Sequence, residues 1–339
     1  MSMFKFSFAA FVAALFIYPA ATAAEAAEVV KTGAWDPFSV RIQSEDAQRF
    51  AKLYLAQKGV LTSEALQRGY LDGAGRGVAV FTPQRIENAE NLALSVKKRG
   101  GDYAYAIENC LPILDSLNAE MRAIYLALHG LLPEARLPAV YVVFGAGNSG
   151  GHAVADSQVI GLEVACKKGV SMDEFRRYMR MMFAHESVHS LQTHSEAAYT
   201  SQQDSMLSTA IAEGTADYIA SIVLGKVPDP ERDQWARDNS EMLWKAFAAD
   251  RETVLQAKVS VWSGDSPARR AFFRWFANAG SPPKGWHSEA GYWIGRQIAA
   301  AFVERSPDKL AAIKRLLAMD DIAGILRDSG IKLEPGAPS

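Results

Sequence analysis

The stretch "MMFAHESVHSLQTHSE", from Met181 to Glu196, crowds together residue types that bind metals and move protons: His185, Glu186, His189 and His194. Residues four apart on an α-helix lie about 40° apart around the axis and one turn apart along it, so two imidazoles at that spacing can face one ion. His185 and His189 meet this condition. Glu186, three residues before His189, borders the same face without having to be a ligand, which suits a carboxylate that holds a metal-bound water. Catalytic zinc keeps three protein ligands and an open position, so a third group must come from elsewhere. In "TAIAEGTADYIASIVLG", Glu213 follows His189 by 24 residues, room for a turn and a returning helix. Asp217 lies one turn further on the same face, placed to accept a hydrogen bond from the non-ligating nitrogen of a histidine and fix its tautomer. His194 competes poorly. Five residues beyond His189 it lies on another helix face, and the metzincin spacing HExxHxxGxxH would need glycine at 192 and histidine at 195, where the sequence has Gln192 and Ser195.

Two helices have to carry these groups. Ser171 and Glu174 match an S-x-x-E capping box, and Phe175, Met179, Met182 and Phe183 form an apolar face running into His185 and His189. A second helix is expected over about Gln202 to Leu224, closed by Gly225 and Pro228, with Gly214 and Ala216 small enough for the two helices to approach closely. Ahead of them, Val140 to Phe144 reads as a strand closed by a Gly/Asn/Ser turn, and "SQVIGLEVA", Ser157 to Ala165, as another; no phosphate-loop glycine spacing is present. The N-terminal part is helical in pattern. It includes a helix capped by Thr82, with Pro83 first and Gly100 as its stop, and two more meeting near Leu111 and Pro112. Helical patterns return from Asp229 on, the last with Ser306 as cap and Pro307 in its first turn. The fold class expected is α+β, predominantly helical, with a short β-sheet packed on the HExxH helix.

A chain of 339 residues with 49% hydrophobic and 22% charged residues can bury a sizeable core. Its net charge of −2 offers no basic field for phosphates, so nucleic acid is excluded as a partner. The start, "MSMFK" followed by "FSFAAFVAALFIY", Pro19 and small residues, reads as a signal peptide over residues 1–23, cleaved after Ala23. The mature protein is then exported, periplasmic or secreted, with no stable membrane span, and no cysteine near the cleavage point suggests a lipid anchor. Export allows Cys110 and Cys166 to form a disulfide, although two buried free thiols fit the sequence equally well.

HExxH followed by the glutamate of "EGTAD" resembles the gluzincin clan of zinc metallopeptidases. A narrower resemblance is to exported bacterial proteins regarded as zinc-dependent proteases, carried by "NSGG" (Asn148 to Gly151), "IGLE" (Ile160 to Glu163), HExxHxxQ (His185 to Gln192), "EGTADYIA" and "GYWIG" (Gly291 to Gly295). The resemblance implies one Zn2+ held by His185, His189 and Glu213, with Glu186 as general base and Asp217 supporting a ligating histidine. The resemblance covers about Val140 to Ala300; together with the helical patterns before it, the organisation expected is a helical region over 24–135, a zincin-like domain over 136–330 and a tail over 331–339. The interval from HExxH to the glutamate is longer than in thermolysin-like enzymes. An oxyanion donor would come from Tyr292 first, with His287 and Arg296 as further candidates; Arg296 could equally meet substrate, and Val142 and Phe144, on an edge strand, would pair with an extended peptide. The function expected is zinc-dependent hydrolysis of a peptide or protein substrate. The alternative is a zincin-like binding module in the cell envelope without turnover.

Overall fold

The structure, a computed structural model, describes residues 36–193, 204–258 and 260–333. The expected signal segment, His194 and the last six residues of the tail lie outside the described residues.

Four short strands form one sheet in the order β1-β2-β4-β3: β1 (Ile42–Gln43), β2 (Ala139–Val143), β3 (Gly151–Val154) and β4 (Ser157–Gly161). β1 and β4 flank β2 in parallel, with Val140 opposite Ile42 on one side and Gln158 on the other. β3 turns back antiparallel on β4 and forms the outer edge, its four residues all half-buried. β2 and β4 are buried along almost their whole length, as strands covered on both faces must be.

Among the described residues there are eleven longer helices: α1 (Glu45–Ala56), α2 (Ala89–Tyr105), α3 (Asn118–Leu131), α4 (Met172–Leu191), α5 (Ser205–Leu224), α6 (Pro230–Asp238), α7 (Ser240–Leu255), α8 (Pro267–Trp275), α9 (Ala290–Arg305), α10 (Lys309–Ala318) and α11 (Ile322–Ser329). The described residues are thus predominantly helical with a small four-stranded sheet, and β3 and β4 pack on α4. α4 begins with the capping box expected: the Ser171 hydroxyl accepts from the Glu174 amide, and the Glu174 carboxylate accepts from the Ser171 amide. α5 is buried through nearly every residue from Ser205 to Ala220, which makes it the central helix, lying against α4 on one side and α9 on another. It ends where Gly225 takes a left-handed φ of +65°, a conformation that costs glycine nothing.

Several local readings need correction. Thr82 and Pro83 begin a short π-type turn, Thr82–Ile86, and α2 starts only at Ala89, capped by Asn88. Its pattern does not stop at Gly100: the chain kinks at Arg99 and continues helical to Tyr105. β4 ends at Gly161, and Leu162–Ala165 is a helical turn instead of more strand. α10 is capped by Asp308, whose carboxylate accepts from the Ala311 amide, displacing the Ser306 cap by two residues. At the starts of α2 and α10 the side chain that caps the helix, Asn88 or Asp308, lies a few residues beyond the one expected.

One apolar core runs from the N-terminal helices to the C-terminal ones. Phe50 of α1 stacks on Phe144 at 4.5 Å, while the Tyr70 and Tyr103 hydroxyls donate to the carbonyls of Phe144 and Gly145. The turn leaving β2 is held from the other side by buried Glu163, which accepts from the amides of Gly145 and Gly147. Burial raises the Glu163 pKa even though these amides pull it down. Cys110 and Cys166 are joined in a disulfide between the N-terminal helices and the segment just after Glu163.

Candidate metal centre

α4 and α5 lie side by side, so His185 and His189 on one meet Glu213 on the other. Nε2 of His185 and Nε2 of His189 are 3.0 Å apart, and Oε2 of Glu213 lies 3.3 Å from the first and 3.1 Å from the second. All three ligand atoms fall within 4.8 Å of one another. The outer nitrogens are both engaged. Nδ1 of His185 is 3.0 Å from Oδ1 of Asp217, and Nδ1 of His189 is 2.9 Å from Oε1 of Gln192. A carboxylate and an amide oxygen can only accept, so each ring carries a proton on Nδ1 toward them, which leaves Nε2 as the nitrogen that faces the shared point and, once deprotonated, can ligate an ion there. Gln192 is itself fixed by donating to the Ala212 carbonyl of α5 at 2.8 Å. Asp217 also pairs with buried Arg232 of α6.

Electrostatics favours the charged forms of this cluster. Burial opposes charge on His185, but hydrogen bonds to Asp217 and Glu213 outweigh it and raise the imidazole well above its usual range. His189 is raised in the same way, the Glu213 charge overcoming burial. Burial likewise works against ionised Glu213, yet His189 and His185 hold it well below the ordinary carboxylate range. Two imidazole nitrogens and one carboxylate oxygen are a donor set that a borderline cation such as zinc accepts. The residues therefore fit the ion that the sequence implies.

Glu186 is buried beside the cluster, and burial raises its carboxyl even against the pull of His189 and His185. β3 crosses directly over it: a Cβ added to Gly151 would come within 2.5 Å of Oε1 of Glu186. Tyr292 comes to the site, its ring parallel to that of His185 at 5.8 Å and within 4.9 Å, at its centroid, of the Arg232 guanidinium. His287 does not join the cluster; it lies against Trp235, with Nδ1 3.1 Å from the Ser288 carbonyl. Arg296 is committed to Asp233 of α6. Val142 and Phe144 are fully buried, and β2 is paired on both sides, so neither sits on an edge strand; the edge beside the site is β3. The choice of β2 failed because a β-branched run marks a strand without marking its neighbours.

Four neighbours were given no role from sequence: Gln192, named only as the end of the HExxHxxQ pattern, Arg232, Glu289 and His152. His152 of β3 lies 3.5 Å from Nη2 of Arg85, and burial, Arg85 and His189 together lower its pKa to about 4. Glu289, just before α9, is raised to about 7 by burial, with Glu213 adding to the rise and Arg232 opposing it. Of the four, Gln192 alone carried a local signal, its helical i+3 spacing from His189.

With this geometry in place, comparison with known proteins decides the family. The family model for gliding motility protein GldB matches residues 48–333. The chain belongs to the GldB family. No curated protein and no solved structure matches it. This family is not one of zinc metallopeptidases, so the resemblance to gluzincins and the peptide-hydrolase assignment drawn from it, with Glu186 as general base and a peptide substrate, are overturned. HExxH and a downstream glutamate are a local pattern, and a shared constellation does not carry an activity with it. The GldB model is one of lipoproteins, in keeping with export. Among the described residues no helix is long and apolar enough to cross a membrane.

Proposed function

We propose that this protein is a non-catalytic, zincin-like module of the cell envelope. In it His185, His189 and Glu213 hold one zinc ion that clamps α4 to α5, and the work of the site is binding within a gliding-motility assembly. The observation that supports the metal is the convergence of both Nε2 atoms and Oε2 of Glu213, with Asp217 and Gln192 orienting the two rings from behind. Zinc, when bound, would supply a Lewis-acidic centre and a cross-link between two helices. Asp217, held by Arg232, keeps the proton of His185 on Nδ1; Gln192 does the same for His189 while tying the end of α4 to α5.

What supports the absence of turnover is the family together with the surroundings of Glu186, where the β3 backbone at Gly151 closes on the carboxylate and leaves no open face on that side. The test is metal analysis of the purified protein beside Glu213→Ala. One zinc per chain is expected in the parent. In the variant the affinity should fall by more than the roughly 10–100-fold that loss of an outer-shell partner costs. A zinc-free parent whose melting temperature does not respond to added zinc would sink the metal assignment. Hydrolysis of a mixed peptide pool that disappears in Glu186→Gln would sink the non-catalytic reading.

A further inference from the structure

On the side of the molecule carried by α8, aromatic rings and arginines alternate at the surface. Ser266 caps the helix and Pro267 opens it, and Ala268, Ala271, Phe272 and Trp275 face the core. That leaves Arg270 exposed and Arg269, Phe273 and Arg274 half-exposed on the outer side. Trp262, 47% exposed in the loop before the helix, sets its ring edge-on to Phe273 at 5.3 Å. The Arg269 guanidinium covers the Phe273 ring at 4.2 Å and donates to the Val261 carbonyl, not to a carboxylate. Arg274 lies over Trp286 at 5.6 Å and pairs with Asp250.

The charge of this segment differs from that of the chain. Residues 260–284 contain Arg269, Arg270, Arg274 and Lys284 against the single carboxylate Asp265, a net charge of +3 that falls to +2 when Asp250, the partner of Arg274, is counted, whereas the whole chain is −2. The Arg270–Asp265 pair is exposed on both sides, 61% and 81%, so it binds weakly and leaves Arg270 able to change partners.

We infer that this face is a docking surface for an anionic lipid bilayer. Arginine stems and indole rings suit the boundary between headgroups and acyl chains, where the ring is half desolvated and the cation reaches phosphate. Charge complementarity adds attraction of about 1 kcal/mol per cation near an anionic surface.

Sedimentation of the full chain, without its signal segment, with vesicles of phosphatidylcholine alone and of phosphatidylcholine with phosphatidylglycerol tests the inference. Binding is expected to the anionic vesicles and to be lost at high salt. Arg270→Gln changes only an exposed side chain and should weaken it about 5-fold. Asp265→Asn should strengthen it about 5-fold, and Trp262→Ala should weaken it with an unchanged circular dichroism spectrum. No binding to either vesicle, equal binding to both, or an unaltered Arg270→Gln variant would overturn the inference and leave the face to a protein partner.

Discussion

Glu289 stands at the N-terminal boundary of α9 with a left-handed φ of +55°, its amide held by Oδ1 of Asn278 at 2.7 Å. Burial is the main reason its carboxyl is raised from 4.5 to about 7. A carboxyl raised in the folded state favours folding while it keeps its proton. That contribution is complete below pH 4.5 and is lost as pH rises toward 7. In metal-free protein, urea unfolding from pH 5 to pH 8 should therefore show the parent losing about 2 kcal/mol relative to Glu289→Gln, less than the shift alone would give because the side chain is partly solvated. A constant difference between the two proteins across that range would sink the prediction. Nothing local in the sequence announces Glu289, because its environment is assembled from α5 and α6. Gln192 is the opposite case: the sequence excludes a metzincin through Gln192, yet its spacing from His189 already placed it to hold that ring. His185, Glu186 and His189 were legible because the chemistry depends on spacing within one helix, and Glu213 and Asp217 because a single helical turn separates them.

At the scale of elements, the packing of α5 against α9 sets where Glu213 stands. An added Cβ on Gly214 would lie 2.0 Å from the Gly295 carbonyl carbon, and one on Gly295 would lie 1.6 Å from the Ala210 oxygen. These are backbone contacts, so no side chain can swing aside to relieve them. Sequence reading assigned Gly214 to the meeting of α5 with α4; small residues mark a close crossing but do not say with which helix. The same limit applies to the sheet. β2 and β4 were legible from their composition, while β1, with two residues, and the edge position of β3 depend on pairings across long stretches of chain. Gly295→Ala should cost about 3 kcal/mol or more, at the upper end of overpacking, and lower zinc affinity by displacing Glu213. Equilibrium unfolding together with zinc titration checks both. A variant as stable as the parent would show that the two helices are not this close.

At the scale of the whole molecule, the N-terminal helices and the sheet are joined by the aromatic stack of Phe50 on Phe144 and by the covalent link between Cys110 and Cys166. Both cysteines are fully buried, and they close a loop of 56 residues that contains α3 and all of β2, β3 and β4. Closing a loop of that length in the unfolded chain is worth roughly 4 kcal/mol by the chain-entropy estimate. Cys166 follows Glu163 by three residues, so the link also anchors the segment whose carboxylate holds the turn into β3. The proposed zinc ligands come from α4 and α5, outside the loop, so stability and metal binding should separate. Cys110→Ala/Cys166→Ala, or the reduced parent, should unfold at lower denaturant by roughly 4 kcal/mol while zinc affinity of the folded protein stays within a few-fold. If reduction leaves the unfolding midpoint unchanged, the link does not stabilise the fold. If it removes zinc binding while the protein remains folded, the sheet and the metal centre are coupled more tightly than the separate helices α4 and α5 require.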